Sequence, residues 1–274
     1  MSEQDASTLI EPVRRIAEDA GERILSVYAN ADLEIETKDD DTPLTRADRA
    51  AHEAIRAGLA ELTPDWPQLS EEGEGGAAAQ RGSGARYWLI DPLDGTKEFI
   101  KRNGEFTVNV ALIEAGVPVL GVVHAPALGI TWGAVRGGPA WRAAGGECRE
   151  IRTRAAQPPL TAVVSRSHRE AAVADILARL GDYRELSVGS SLKICRIADG
   201  EADLYPRFGP TCEWDTGAAQ CVLEAAGGCI MDLDLQPLIY NTSEAVLNPD
   251  FIAVGDPGYE WARITQGLPW ERRR

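Results

Sequence analysis

The chain has 274 residues, enough for one large or two modest domains, and 44% of them are hydrophobic, as in ordinary globular proteins. Its 43 acidic and 28 basic residues give a formal net charge of −15, which excludes a broad basic surface for nucleic-acid polymers. A small anionic ligand is still compatible with this charge, because a few local cations or metal ions can override the global sign.

The first predicted elements are two helices with a short strand between them. Apolar residues at helical spacing predict a helix over 7–29, and alternation over 33–37 predicts a strand before an acidic loop. A second helix is predicted over 46–62, with Thr45 as its N-cap. The Gly/Ala-rich composition of 73–86 indicates a mobile loop.

Compartment is indicated by the cysteines and by the N-terminus. Five cysteines without a CxxC pair predict neither a disulfide framework nor a zinc site and favour a reducing compartment. The N-terminus carries acids where a signal peptide would have an apolar core, and no apolar run approaches the length of a membrane span. We therefore expect a soluble, cytoplasmic protein without a transmembrane segment; the oligomeric state is left open.

The rest of the chain divides into two patterns. From residue 88 onward, four strand-like runs joined by short Gly or Pro turns predict an antiparallel sheet. The segment RTRAAQPP at 152–159 is the expected junction, and beyond it strands and helices alternate, which predicts an α/β layer. The sequence thus predicts an N-terminal α+β half over 1–155 and a C-terminal α/β half over 156–274.

The most informative motif is WLIDPLDGTKEF at 88–99. Asp91 directly follows a buried strand, Pro92 is expected to end that strand, and Asp94 with Gly95 predicts a tight turn. Two carboxylates three residues apart repel each other unless a cation lies between them. A hard divalent cation such as Mg²⁺ fits, because it prefers oxygen ligands. The alternative is an Asx turn that binds nothing.

Two further acidic elements carry similar alternatives. Glu71 and Glu72 lie at the end of a short predicted strand, and two such acids taken alone indicate a solvated loop. Asp215 lies at the start of a predicted helix, where it would ordinarily be an N-cap. The same helix N-terminus also favours anions, so a carboxylate there could serve both a metal ion and a phosphate.

Together these elements give a family resemblance. The chain resembles the inositol monophosphatase superfamily of magnesium-dependent, lithium-sensitive phosphatases, and within it the bacterial CysQ-type 3'(2'),5'-bisphosphate nucleotidases. The resemblance extends over nearly the whole length, in the blocks DDDTPLTRAD (39–48), LSEEG (69–73), YWLIDPLDGTKEFIKRNGEFTVNVALI (87–113), VVSRSH (163–168), GSSLK (189–193), DLYPRFGPTCEWD (203–215) and LNPDF (247–251).

This resemblance implies a fold and an activity. The fold is the layered α/β/α/β/α sugar-phosphatase architecture of mixed α/β class. The activity is hydrolysis of the 3'-phosphate of adenosine 3',5'-bisphosphate (PAP) to AMP and phosphate, and the sulfated precursor (PAPS to APS) is left open as a second substrate. Two alternatives remain, an inositol or other sugar monophosphatase and a non-catalytic nucleotide sensor. The resemblance also leaves open a peripheral location on the cytoplasmic face of the inner membrane.

The resemblance also implies roles for individual residues. Two or more Mg²⁺ ions per site would be held by Glu71, Asp91, the carbonyl of Leu93, Asp94 and Asp215. Thr96, paired with Asp48, would help to activate the attacking water, and Glu71 would share in catalysis. The implied substrate contacts are Glu71, Leu93, Asp94, Gly95, Thr96, His168, Ser190, Lys193, Arg207 and Asp215.

Three positions qualify this picture. The place of Arg207 is usually acidic in inositol monophosphatases, and a basic residue there suits a second phosphate. His168 could contact the nucleotide, or it could be an ordinary surface histidine. The family usually has W-D-x-A-A-G where this chain has Trp214 followed by DTGAA, so the small residues of the helix entry are permuted.

Overall fold

The computed structural model describes residues 5–30, 36–37, 43–74, 86–165 and 171–268. The helices are α1 Ala6–Tyr28, α2 Arg46–Leu62, α3 Thr96–Ile100, α4 Ala171–Leu180, α5 Leu192–Ala198, α6 Glu213–Ala225 and α7 Trp261–Thr265. The strands are β1 Glu36–Thr37, β2 Pro43–Leu44, β3 Gln68–Ser70, β4 Arg86–Asp94, β5 Thr107–Glu114, β6 Val117–Ala125, β7 Ile130–Val135, β8 Trp141–Ala144, β9 Glu147–Glu150, β10 Leu160–Ser165, β11 Tyr183–Val188, β12 Leu204–Arg207, β13 Cys229–Asp232 and β14 Phe251–Val254.

The first sheet has seven strands, β3 to β9, in sequence order. β3 runs parallel to β4, and all the following neighbours are antiparallel. Alternation along β4 divides its side chains between two faces, because successive residues of a strand point in opposite directions. Trp88 and Ile90 pack into one hydrophobic cluster, and Tyr87 and Leu89 pack into another. Both faces of the sheet are therefore covered.

Helices α1 and α2 cover the face that carries Trp88 and Ile90. α2 begins where the sequence predicts, because Thr45 and Asp48 form a capping box. The Thr45 side chain accepts a hydrogen bond from the first turn, and the Asp48 carboxylate accepts one from the Thr45 backbone N–H at 2.7 Å. Asp48 is thereby held in one orientation at the end of the helix.

The second sheet has five strands in the order β11-β10-β12-β14-β13. β10 is parallel to β11 and β12, whereas β14 is antiparallel to both of its neighbours. Helices α5 and α6 lie between the two sheets, and α4 and α7 cover the outer face of the second sheet. The order of layers is α/β/α/β/α, which confirms the predicted fold class. The division of domains after residue 155 stays a prediction; the first sheet ends at residue 150 and the second begins at residue 160.

Small residues let α6 lie close against the first sheet. A Cβ on Gly121 of β6 would overlap the carbonyl oxygen of Ala218 in α6 and lie 2.8 Å from the Cβ of Cys221. On the helix side, a Cβ at Gly217 would come within 2.8 Å of a Leu89 methyl group. The permuted small residues after Asp215 therefore still give a close helix–sheet contact.

Some local predictions were wrong. β4 does not end at Pro92 but continues to Asp94, with a bulge between Asp91 and Asp94 where the register against β5 shifts. The hairpin β8–β9 and the strands β13 and β14 were not predicted, and α6 begins at Glu213 rather than after Asp215. Parts of the predicted strand and acidic loop, and residues 75–85, lie outside the described residues.

Among the residues that the structure describes, no helix is both long and apolar enough to cross a lipid bilayer.

Candidate active site

The end of β4 delivers the paired acids of the DPLDGT motif. Asp91 is fully buried, and its Oδ1 accepts a hydrogen bond of 3.0 Å from the backbone N–H of Leu93, which fixes the bulge. The chain then turns at Gly95, whose φ is +90° and where a Cβ would lie 3.1 Å from the Glu105 carbonyl oxygen and 3.2 Å from the Ser190 Cβ. Glycine is required here on both counts. The first turn of α3 follows directly.

The third acid comes from the first turn of α6. Asp215 Oδ2 accepts a hydrogen bond of 2.9 Å from the backbone N–H of Cys212, as in a capping box. One carboxylate oxygen from each of Asp91, Asp94 and Asp215 lies within 4.8 Å of the others. The two sequence motifs, separated by more than a hundred residues, therefore converge on one small volume.

Burial and mutual repulsion disfavour the charged forms of two of these carboxylates. Burial raises the pKa of Asp91 well above its usual range, and repulsion by Glu71 and Asp94 raises it further. The pKa of Asp215 is raised to about 8, chiefly by burial and then by repulsion from Asp94 and Glu71; the Cys212 N–H and Arg207 offset part of this shift. Carboxylates gathered in this way need protons or a cation to balance their charge. Their oxygen atoms are the donors that hard divalent ions prefer.

A pH dependence of stability follows for the metal-free protein. The folded chain holds a proton on Asp215 more tightly than the unfolded chain does, so the stability gained from this proton is complete below pH 4 and is lost as the pH rises to about 8. We expect the melting temperature in EDTA to fall between pH 5 and pH 8. The Asp215→Asn variant should show a shallower slope, and an equal slope for the two proteins would contradict this assignment.

Glu71 lies in the same cleft but outside the tight group of three carboxylates. It follows β3, its backbone N–H donates to the Ile90 carbonyl at 3.1 Å, and its charge acts on both Asp91 and Asp215. Leu93 presents its backbone carbonyl nearby, at 3.3 Å from the Thr96 hydroxyl. The roles of Glu71 and of the Leu93 carbonyl as metal ligands stay predictions.

Thr96 and Asp48 meet at the site, although 48 residues separate them in the chain. Thr96 Oγ1 lies 3.4 Å from Asp48 Oδ1 and 3.3 Å from the Leu93 carbonyl oxygen. Asp48 is buried, so it is not a solvated residue of the first helical turn. Its other oxygen, Oδ2, also accepts the Thr45 hydroxyl at 2.6 Å. The capping box thus orients the carboxylate toward Thr96.

The C-terminal half supplies further residues of the same cleft. Ser190, in the left-handed region at φ 47°, precedes α5, and its carbonyl accepts the Lys193 ammonium at 2.6 Å. Lys193 Nζ also lies 5.5 Å from the centre of the Tyr205 ring. Arg207 donates from Nη2 to the Pro210 carbonyl at 2.6 Å, and its buried Nε has no hydrogen-bond partner among the described residues. His168 lies outside the described residues.

These residues line one cleft of about 280 Å³ between the two sheets. Every predicted site residue except Asp48 and His168 belongs to its lining, and Asp48 reaches it through Thr96. Sequence reasoning missed several other lining residues, among them Lys97, Ser191, Tyr205, Thr211 and Phe251. A signal existed for some of them. Lys97 and Ser191 adjoin predicted residues, and Tyr205 is two positions from Arg207 on one strand and therefore faces the same side.

Comparison with known proteins identifies the family. Residues 5–261 match the Inositol monophosphatase family. The chain belongs to the inositol monophosphatase family. Members of this family are metal-dependent phosphatases, and the group formed by Asp91, Asp94 and Asp215 fits a metal ion by its oxygen donors and its uncompensated charge.

Several individual members of the family are similar to this chain over most of its length. The chain is 49% identical over 244 residues to the 3'(2'),5'-bisphosphate nucleotidase CysQ of Escherichia coli K12, covering 89% of this chain and 98% of that protein. It is 50% identical to CysQ of Salmonella typhimurium LT2, with the same coverage. The crystal structure of CysQ from Bacteroides thetaiotaomicron superposes with a TM-score of 0.81 at 41% identity, covering 90% of this chain and 97% of that one. An inositol monophosphatase from Zymomonas mobilis gives 0.76 at 28% identity, covering 96% and 98%.

Proposed function

We propose that the protein is a 3'(2'),5'-bisphosphate nucleotidase that removes the 3'-phosphate of adenosine 3',5'-bisphosphate with the help of Mg²⁺ ions, leaving AMP and phosphate. The observation that carries the proposal is the combination of charges in one cleft. Its lining holds the three converging carboxylates together with two cations, Lys193 and Arg207. The 49–50% identity to proteins named as nucleotidases of this specificity supports it.

The converging carboxylates would hold the metal ions. Asp91, Asp94 and Asp215, with Glu71 and the Leu93 carbonyl, offer oxygen atoms of the kind that Mg²⁺ binds. Bound there, the ions would neutralise phosphate charge and lower the pKa of a coordinated water. The backbone N–H groups of Gly95 and Thr96 would donate hydrogen bonds to oxygen atoms of the same phosphate.

Thr96 and Asp48 would orient the attacking water. A hydroxyl has one hydrogen to donate and two lone pairs that accept. When Thr96 Oγ1 donates to Asp48, its lone pairs are free to accept a hydrogen from the water and so to aim its oxygen at the phosphorus. Asp48 is fixed by Thr45 and can therefore hold this arrangement without reorganisation.

Lys193 and Arg207 would select the nucleotide. A 5'-phosphate can form charge-assisted hydrogen bonds with Lys193 and Arg207, whereas an inositol ring offers only hydroxyl groups. Tyr205 and Phe251, which contact each other edge-on with ring centres 5.9 Å apart, are buried behind these two cations.

A phosphate-release assay on a small panel tests the proposal. The panel contains adenosine 3',5'-bisphosphate, its sulfated precursor, 3'-AMP and inositol 1-phosphate, each with Mg²⁺ and with EDTA. We expect the highest kcat/KM for the bisphosphate and no turnover in EDTA. A preference for inositol 1-phosphate would replace the proposal with the monophosphatase alternative, and binding of the bisphosphate without turnover would favour a nucleotide sensor.

Replacing Arg207 by a neutral residue should lower activity on the bisphosphate more than activity on 3'-AMP. Loss of one charge-assisted contact costs about 1.5–3 kcal/mol, so Arg207→Gln should lower kcat/KM for the bisphosphate by about ten- to hundredfold. Turnover of 3'-AMP, which lacks the 5'-phosphate, should change much less. Glutamine is preferable to glutamate because Arg207 also lowers the pKa of Asp215, and a new acid would disturb the carboxylates. Arg196→Gln, which breaks a surface pair with Glu201, is the matched control; equal losses on both substrates would contradict the assignment.

A further inference from the structure

Ser191 makes hydrogen-bond contacts with three different elements at the candidate metal centre. It is the residue before α5, and it is buried. Its Oγ lies 2.8 Å from Asp94 Oδ2 on β4, 2.7 Å from the backbone carbonyl oxygen of Asp215 on α6, and 2.9 Å from Asn109 Nδ2 on β5. One hydroxyl of the C-terminal half thus touches two of the three converging acids.

The position of Ser191 would suggest a simpler role, which the structure does not support. A serine at the N-cap of a helix ordinarily accepts a hydrogen bond from the first helical turn. Ser191 makes no such side-chain cap to α5. Its hydroxyl is directed away from its own helix and toward Asp94 and Asp215.

The chemistry of the hydroxyl defines what it does. It accepts one hydrogen bond from Asn109 and has one hydrogen to donate, which goes either to the Asp94 carboxylate or to the Asp215 carbonyl. The bond to the carboxylate is charge-assisted and the stronger of the two. Asn109 turns its amide toward Ser191 although its buried Oδ1 then has no hydrogen-bond partner among the described residues. The hydrogen bond from Asn109 to Ser191 is therefore formed although it leaves a buried acceptor unpaired, which is unfavourable.

We propose that Ser191 is the positioning residue of the carboxylate group, which holds Asp94 and the first turn of α6 at a fixed spacing and so sets the affinity of the site for divalent cations. The inference rests on the proposed function only in that metal ions occupy this group. Ser191 acts on the metal site through its hydrogen bonds to Asp94 and Asp215. Asn109, opposite Asp91 in the β4–β5 register, acts in turn through Ser191.

The test measures metal binding without substrate. Mg²⁺ is titrated calorimetrically into the wild type, Ser191→Ala, Ser191→Thr, Asn109→Ala and the Ser191→Ala/Asn109→Ala double variant, with melting temperatures recorded in EDTA. Loss of a partner that orients a metal ligand typically costs 10–100-fold in metal affinity. We expect a rise of that size in the Mg²⁺ dissociation constant for Ser191→Ala, a smaller rise for Asn109→Ala, and near-wild-type affinity for Ser191→Thr, which keeps the hydroxyl. The double variant should match Ser191→Ala within about twofold, because coupled residues are not additive.

Thr63→Val is the matched control for general destabilisation. Thr63 is an equally buried hydroxyl that accepts Trp88 Nε1 at 2.8 Å and takes no part in the cleft. It should lower the melting temperature and leave the Mg²⁺ dissociation constant within about twofold of wild type.

Two results would overturn the inference. One is an unchanged dissociation constant in Ser191→Ala, and the other is an equal rise in Thr63→Val. If Ser191→Ala does not fold, the Asn109→Ala titration decides: a rise in the dissociation constant that Thr63→Val does not share supports the inference, and no rise overturns it. A wild type that binds Mg²⁺ but does not hydrolyse the bisphosphate would refute the proposed function and leave these comparisons intact.

Discussion

Asp91→Asn should abolish metal-dependent turnover and at the same time raise the melting temperature of the metal-free protein. Asp91 is buried beside Glu71, Asp94 and Asp215, and its negative charge is useful only when a cation is bound. Asparagine keeps the shape and can still accept the Leu93 N–H, so the bulge should survive. We expect turnover to fall by more than the roughly hundredfold typical of losing a residue that only orients a metal ligand, because a proposed ligand itself is lost. The raised melting temperature follows from relief of repulsion between buried acids.

Asp203→Asn provides the opposite control. Asp203 is also buried, but it is paired with Arg154 through two hydrogen bonds of 2.7 Å. Removing its charge leaves the guanidinium without its partner and should lower the melting temperature. Turnover assays at several Mg²⁺ concentrations and melting curves in EDTA separate the two effects. Near-normal turnover of Asp91→Asn at modest Mg²⁺, or a melting temperature that falls as in Asp203→Asn, would refute the metal assignment.

Thr96→Ala should lower kcat far more than it changes KM. In the proposed mechanism the Thr96 hydroxyl, which contacts Asp48, orients the nucleophile, an interaction that matters chiefly in the transition state. General acid–base assistance of this kind contributes about 10²–10⁴-fold in rate, and we expect a loss in that range. Steady-state kinetics with the bisphosphate give both constants.

Thr96→Ser is the matched control, because it keeps the hydroxyl and removes only a methyl group. It should retain most of the wild-type kcat. A Thr96→Ala variant altered mainly in KM would instead indicate that Thr96 is a phosphate-binding donor. That result would refute the water-orienting role proposed for the Thr96–Asp48 pair.

Local signals predicted much of the fold, and they failed where tertiary context decides. Thr45 marked the start of α2 correctly because a capping box is complete within four residues. The prediction that β4 ends at Pro92 was wrong. It was made because a proline in a central strand ordinarily removes a ladder hydrogen bond. In β4 the proline falls in a bulge beyond the last pair with β3, Ser70 to Ile90, so its missing N–H costs nothing. The hairpin β8–β9 had a local signal, Gly145-Gly146, which was overlooked.

The candidate site was likewise predicted where local signals suffice and missed where tertiary contacts decide. The acids were found because Asp91 and Asp94 lie together in one motif and Asp215 heads a helix. The contacts of Ser191 could not be predicted, because Asn109, Asp94 and Asp215 are brought to it by three separate elements of the fold. Spacing identified the GSSLK segment and Ser190, which lines the cleft, but only the packed structure shows that the hydroxyl of the neighbouring Ser191 contacts Asp94.

The close contact of α6 with the first sheet means that a division of the chain by sequence does not coincide with its division by packing. α6 follows residue 155, yet it packs on β4, β5, β6 and β7, with Gly121 directly beneath Ala218. A fragment cut at the predicted junction, residues 152–159, would leave one face of the seven-stranded sheet bare and would lose the carboxylate of Asp215. Any split version of this enzyme for complementation should therefore recover activity only when both fragments are present. Exchange of the proposed substrate-selecting residues between relatives should spare Glu213–Ala225 and replace only the segments that carry Lys193 and Arg207.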